Sequence, residues 1–477
     1  MTALLAIAPA VLTGFLLVRL TGLTQGLRPR WAAALCELAL GAGAGIAVTS
    51  SLFYLLLRAG LASRGGVLAA ELLLVAALGL AQRYRLRGAD TRQEEMPGFR
   101  FNGVLVAGAA AALALLVATQ VSMVRAAPHG NWDAFAIWNL RAKFLLAPGE
   151  LWKRAASPLL ERTHPEYPLL VSAFVARTWR LSGTVSPAAP LATAYLFTAA
   201  VAALVAALPA IARGTAAGLL AILVFFASTS YLEQISWQYA DIPLSFYILA
   251  TFGSLVLGVF HTGRQSFLAC AMSGLFAGFA AQTKNEGTAF LALGCLALAA
   301  FLVRAVGAPE AWRRLRWWLA GALPGLALLV DFRLVLAPPV NLLRDQSLAQ
   351  ILGRLINTAR LSELAQALIA ETVALGDGWS HPLILLGLLA AVLRLEWDER
   401  LGAVIGAAGA TLAGLLAVYA AVFLARPEDL AWLVGTALGR LYAHLWPLFL
   451  LLAFLVLGRP VDQKRGAPAL RQKKKAR

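Results

Sequence analysis

Val104-Leu-Val-Ala-Gly-Ala-Ala-Ala-Ala-Leu-Ala-Leu-Leu-Val-Ala118 runs for fifteen residues without one polar side chain. A strand of a membrane barrel alternates apolar and polar positions and ends after about ten residues. A helix closes its backbone hydrogen bonds internally and needs about 20 mostly apolar residues to cross the hydrocarbon. Leu401 to Leu424 is a second such stretch, interrupted only by Thr411 and Tyr419. Working outward, runs of this kind recur from one end of the 477-residue chain to the other. The reading is an all-α polytopic membrane protein with thirteen spans, at 2–19, 31–57, 66–81, 101–124, 190–212, 215–232, 242–260, 266–282, 287–303, 317–336, 381–394, 401–424 and 440–458.

Composition agrees. The chain is 60% hydrophobic and 14% charged, with a mean hydropathy of +0.74. Its length would allow two or three soluble domains, but this composition leaves little with which to build them. Cys36, Cys270 and Cys295 each lie in an apolar run, as small buried hydrophobes rather than a disulfide framework or a ligand set. A net charge of +17 would point to nucleic acid in a soluble protein. Here the excess of basic residues in cytoplasmic loops explains it, and no nucleic-acid partner is expected.

Arg83, Arg85, Arg87, Arg92 and Arg100 cluster before the fourth span, Arg313, Arg314 and Arg316 precede the tenth, and Lys464 to Arg477 forms a basic tail. Placing these inside puts the C-terminus in the cytoplasm and, with an odd span count, the N-terminus outside. The start of the chain resembles no cleaved signal with a clear processing site. A polar cassette from Arg125 to Pro190, the largest interruption of the apolar pattern, then faces the extracytoplasmic side. So do Glu233 to Asp241, the turn Lys284-Asn285-Glu286 and the 333–380 loop. Loop charge alone therefore gathers the ionisable residues on one face.

Within the cassette, Asp133 stands among Trp132, Phe135 and Trp138, at the start of an aromatic amphipathic helix along the interface, with Arg141 and Lys143 further on. An interfacial helix with snorkelling basic groups explains this plainly. A carboxylate held beside cations that receive an anionic head group explains it as a site. His164-Pro-Glu166-Tyr167-Pro168 is stiff, because each proline fixes its own torsion and restricts the residue before it. It suits a rigid loop, or a simple helix entry. Gln238-Tyr239-Ala-Asp241-Ile-Pro243 joins two spans, and Asp241 is either a helix cap or a second active-site carboxylate. Thr283-Lys284-Asn285-Glu286-Gly287 is sharper: a polar turn needs Asn and Gly, but not an adjacent Lys and Glu at the membrane edge. Lys284 either pairs with an acid or binds phosphate. Arg440 and His444 are one turn apart on the last span and share a face. Arg440, at the outer end, is a candidate phosphate clamp.

These stretches together (Asn131-Trp132-Asp133 with Trp138, Arg141 and Lys143; His164 to Pro168; Gln238 to Pro243; Thr283 to Gly287) resemble the type C glycosyltransferase superfamily of polytopic enzymes that use polyprenyl-phosphate-linked sugars. The likeness is to the bacterial branch of protein O-mannosyltransferase-like and aminoarabinose-transferase-like proteins, and covers the chain from residue 101 onward. It implies a first large external loop with an essential acid, matched by Asp133, and a later external acid, matched by Asp241 or Glu166. The chain departs from that pattern in three ways. The loop follows the fourth span instead of the first, Asp133 has no acidic neighbour, and no large soluble C-terminal domain is present. The implied organisation is three N-terminal spans and a cytoplasmic loop over 1–100, a catalytic core over 101–458 containing the 125–190 loop, and a basic tail over 459–477.

The resemblance implies inverting transfer of a sugar from a polyprenyl-phosphate donor to a hydroxyl acceptor (a lipid-linked glycan, a polysaccharide or a protein) outside a bacterial plasma (inner) membrane. Asp133 would act as general base, with Glu166 and Asp241 as the other candidate catalytic acids. Lys284, Arg440 or Arg141 would stabilise the leaving phosphate. Trp132, Trp138, Lys143, His164, Tyr167, Gln238, Tyr239, Asn285, Glu286 and His444 are the remaining candidate substrate contacts. A carboxylate pair holding Mg or Mn would serve the phosphate equally. The rival class is a transporter or flippase of a lipid-linked sugar or other anion, which inverted repeats would favour; no clear repeat is visible.

Overall fold

The computed structural model describes residues 2–87, 103–339 and 346–459. Three helices lead: α1 (Ala3–Thr21), α2 (Arg30–Arg58) and α3 (Arg64–Arg87), followed by α4 (Gly103–Ala126). The polar cassette contains a π-helical turn (Ala134–Trp138) running into α5 (Asn139–Phe144), two 3-10 segments (Gly149–Ala156 and Pro158–Thr163) and α6 (Leu170–Ser182). Then come α7 (Ala188–Arg213), α8 (Thr215–Phe226), the short α9 (Thr229–Glu233), α10 (Asp241–Val259), α11 (Gly263–Ala281), α12 (Asn285–Val306) and α13 (Ala308–Val335). After α14 (Leu348–Leu355) and α15 (Thr358–Val373), the chain ends in α16 (Pro382–Leu393), α17 (Gly402–Ala425) and α18 (Leu430–Val456). Among the described residues, ten helices are long and apolar enough to cross a membrane. The protein is thus an all-α, multi-pass membrane protein. Arg92, Arg100 and the tail Lys464 to Arg477, which support the orientation read from sequence, lie outside the described residues.

Several element boundaries differ from the apolar pattern for local reasons. The last helix starts at Leu430 rather than near Arg440, because Asp429 accepts the Trp432 backbone N–H at 2.9 Å and caps it. Arg440 and His444 therefore sit inside a helix instead of at its end. α12 and α13 are joined by Gly307 alone, whose φ of +78° suits a residue without Cβ. α13 extends through its basic stretch because Glu310 pairs with Arg313 (3.1 Å) and Arg314 (3.0 Å) one turn on.

In lipid, apolar side chains gain little by leaving their surroundings, so close backbone contact has to hold helices together. Glycines provide it here. A Cβ on Gly14 would lie 1.8 Å from the Gly41 carbonyl, and one on Gly45 would lie 1.8 Å from that of Ala10, so α1 and α2 touch along their backbones. Gly274, Gly278, Gly321 and Gly325 bring α11 and α13 together likewise, with a Gly274 Cβ placed 1.8 Å from the Trp318 carbonyl.

α10 is the buried axis of the bundle, packed by α7, α11 and α18. The N-terminal helices pack onto this core. Tyr247 of α10 donates to the Gly43 carbonyl of α2 (3.0 Å), and Ser50 donates to the carbonyl of Leu170 at the start of α6 (2.6 Å). Arg177 of α6 binds Glu71 of α3 through Nε (2.7 Å) and Nη2, and its Nη1 donates to the Ala6 carbonyl of α1 (2.6 Å). The Leu170 N–H donates to the Gln282 carbonyl (3.2 Å) and the Asn131 N–H to the Trp237 carbonyl (3.3 Å), so the loops 127–187, 228–240 and 282–284 lie at one end of the bundle. Arg213, bound to the carbonyls of Leu455 (3.1 Å) and Glu396 (2.7 Å), marks the other.

Candidate functional site

Asp241, the first residue of α10, is 1% exposed and is the centre of an ion network. Its Oδ1 accepts from Lys284 Nζ (2.9 Å) and His444 Nε2 (2.7 Å); its Oδ2 accepts from Arg440 Nε and Nη2 (both 3.2 Å). An ionised carboxylate only accepts, so the His444 hydrogen is on Nε2, leaving Nδ1 facing the Tyr419 hydroxyl at 3.3 Å. Lys284 also pairs with Glu286 Oε1 (3.0 Å). Arg440 reaches outward through Nη1 to Asp133 Oδ2 (2.7 Å). Three carboxylates thus face two fixed cations, and the group carries one surplus negative charge that a proton on His444 would cancel.

The network joins four separate parts of the chain. Asp241 lies where loop backbone turns into helix, Lys284 caps the entrance to α12, and Arg440 and His444 project from adjacent turns of α18. Asp133 comes from the cassette, held by its backbone N–H donating to the Tyr239 hydroxyl (3.1 Å). The Tyr239 ring lies under the Arg440 guanidinium at 4.7 Å. Burial pushes the Tyr239 hydroxyl up to about 12, so it remains a neutral donor and acceptor. Gln238 has φ of +60°, and His164 +51°; of the three non-glycine residues with positive φ among those described, two flank this site. Backbone held in that region is costly and accumulates where function requires it.

A second group lies against the first. The rings of His164, Tyr167 and Trp138 stack in series, with centroids 4.7 and 5.6 Å apart, and Lys284 Nζ is 5.9 Å from the Tyr167 centroid. Burial, and then the Glu286 charge, raise the Tyr167 hydroxyl well above its ordinary value. Glu166 pairs with His164 Nδ1 at 3.0 Å. Burial alone would raise Glu166, but the His164 hydrogen bond and charge, with the Arg141 charge, outweigh it and hold the carboxyl below its usual range. Arg141 does not snorkel. It is fully buried, donating from Nε to Ala155 O (3.1 Å) and from Nη2 to Pro165 O (3.3 Å). Arg333, at the end of α13, donates to Asn285 Oδ1.

Of the residues singled out in the sequence, Asp133, Asp241, Lys284, Glu286, Arg440, His444 and Tyr239 meet in one network, and His164, Glu166, Tyr167, Trp138 and Arg141 form its flank. Three stand apart. Lys143 is exposed on the far side of its helix from Arg141, the exposed Trp132 packs edge-on to Phe135 at 5.3 Å, and Gln238 turns to the Pro128 carbonyl (3.1 Å). Arg333 and Tyr419 were missed; both sit in apolar or loop segments where one polar residue carries no pattern. The donor set does not suit Mg or Mn: Asp133 and Asp241 are bridged by a guanidinium, and among the described residues no three His, Cys, Asp or Glu side chains gather as a cation site. No protein-family model matches this chain, and no curated protein or solved structure is significantly similar to it.

Proposed function

We propose that this protein is a membrane glycosyltransferase. It moves a sugar, with inversion, from a polyprenyl-phosphate donor to a hydroxyl acceptor on the extracytoplasmic face of a bacterial plasma membrane, within a bundle of thirteen spans. The observation that carries this reading is Asp133: the buried network of Asp241 reaches the surface loop through Arg440 and ends on this half-buried carboxylate. Arg440 occupies Oδ2, and no hydrogen bond among the described residues engages Oδ1. The fixed carboxylate can take the proton of an acceptor hydroxyl as that oxygen attacks the anomeric carbon and the sugar–phosphate bond breaks. The leaving phosphate carries off the bonding electrons and needs positive charge nearby. Asp241 is then a positioning residue that aims Arg440 and Lys284.

The test is release of polyprenyl phosphate by the purified protein from a panel of polyprenyl-phosphate sugars with mixed hydroxyl acceptors. Asp133→Asn should lower transfer by about 10²–10⁴, the usual contribution of a general base, at unchanged thermal stability. A fully active Asp133→Asn protein removes it as base.

One observation favours a second reading, a transporter or flippase of a lipid-linked sugar or other anion. Ionisable chains buried in membrane proteins serve as proton relays, and the Asp241 network can bind one proton without exceeding neutrality. Proteoliposomes that move a lipid-linked sugar or a small anion with a pH gradient, and show no transferase turnover, would establish it instead.

A further inference from the structure

Lys284 and Arg440 spend their donors on Asp133, Asp241 and Glu286. Two other guanidinium groups do not. Arg141 uses Nε and Nη2 on backbone carbonyls and leaves Nη1 buried without a partner among the described residues; Arg333 uses Nη2 on Asn285 and leaves Nη1 in the same condition. Arg141 comes from the cassette helix and Arg333 from the last turn of α13. The Arg141 guanidinium lies 5.9 Å over the ring of Phe332, the residue before Arg333. Burial pushes Arg141 down to about 10, with Glu166 opposing that shift and the like charge of Arg333 adding to it, so the three groups feel one another. Glu166 nevertheless closes its ion pair with His164. A buried donor left unmet is costly, and more so when charged, and a guanidinium N–H is matched best by a carboxylate or phosphate oxygen.

We propose that Arg141 and Arg333 together seat the oxyanion of a phosphate ester, each through its free Nη1–H. This deepens the glycosyl-transfer reading by adding, on the flank of the Asp241 network, two donors for the phosphate, and it rests on that reading only for what the phosphate carries. The probes are inorganic phosphate and farnesyl phosphate, titrated against the full-length protein in lipid nanodiscs, with binding followed by calorimetry. Saturable binding is expected, weakened at least tenfold by Arg333→Gln and partly restored by Arg333→Lys, which keeps the charge without the fork. Because Arg141 also holds two loop carbonyls, Arg141→Lys is the second variant, and thermal unfolding confirms that each variant is folded. Competition of inorganic phosphate with farnesyl phosphate identifies a seat for free phosphate; binding of farnesyl phosphate alone identifies a lipid headgroup seat. Equal binding by wild type and a folded Arg333→Gln protein, or no saturable binding of either probe, overturns the proposal. Binding lost in Arg333→Gln without any transfer by wild type would sink glycosyl transfer and leave the seat standing. Transfer with binding indifferent to Arg333 would do the reverse.

Discussion

Of the ion groups buried among the described residues, two end differently. Glu71 and Arg177 are 1% and 0% exposed at their side chains, and every guanidinium arm is used on the carboxylate or on the Ala6 carbonyl. The pair is closed: it pins the cassette to the first and third helices and leads nowhere. Asp241 is as deeply buried, yet its partners run outward to Asp133 and Glu286, whose side chains are 18% and 20% exposed. One Glu286 oxygen remains buried without a partner among the described residues. Equal burial and the same ionic chemistry thus produce a staple in one place and a candidate site in the other. The difference lies in whether the charges connect to a surface where a substrate can arrive.

That difference is open to attack first at the staple. Arg177→Met leaves Glu71 buried without compensation, and breaking such a pair costs about 3–5 kcal/mol. The single variant should lose most of its folded yield and unfold at markedly lower temperature. Replacing both members, Glu71→Leu with Arg177→Met, should recover most of that loss, since well-packed apolar side chains commonly match a buried pair. Activity in the double variant should follow stability alone. A stable but inactive double variant would show that the staple also acts in function, and the contrast would fail.

At the network the same manoeuvre should fail in the other direction. Asp241→Asn removes one charge but keeps oxygen and amide groups among its neighbours, while Arg440 retains Asp133 and Lys284 retains Glu286. The expected loss is smaller, about 1–3 kcal/mol of stability, as for a buried hydrogen-bonding group deprived of its best partner. Transfer should fall much further than stability does. Pairing Asp241→Leu with Lys284→Met, the analogue of the rescue at the staple, should restore folding without restoring activity. Unfolding curves and turnover on the same preparations separate the two quantities, and a rescued, active double variant would make Asp241 a second staple.

How much of this was readable from sequence follows the same division. Asp133, Asp241, Lys284, Glu286, Arg440 and His444 stand out because ionisable residues at the edges of apolar runs are rare enough to be noticed singly. Their pairing was not readable: Lys284 meets Asp241 across 43 positions and Arg440 meets Asp133 across 307, and no local rule spans such distances. Glu71 went unremarked inside the apolar run 66–81, although a lone acid at that depth needs a partner. Arg177 looked like one basic residue among several in a polar loop. The helix contacts had a legible signal in the small-xxx-small pairs Gly41/Gly45, Gly274/Gly278 and Gly321/Gly325. The early start of α18 was hidden because its capping residue, Asp429, lies eleven positions before Arg440.

The smallest expected effect tests whether the flank of the site belongs with the staple or with the network. The folded-state value of Glu166 lies below its ordinary one, chiefly against burial and in favour of the His164 hydrogen bond and charge. A depressed acid contributes stability that is fully present above its unfolded value, about 4.3, and is lost as pH falls through the lower folded value. Thermal unfolding of the wild type should therefore weaken between about pH 4.3 and the acid limit by more than that of Glu166→Gln, and the two proteins should run parallel above that window. If Glu166→Gln shifts the whole stability curve at every pH, the residue is a structural strut like Glu71. If it instead changes the pH profile of turnover while stability moves only in acid, the flank shares in the work of the Asp241 network.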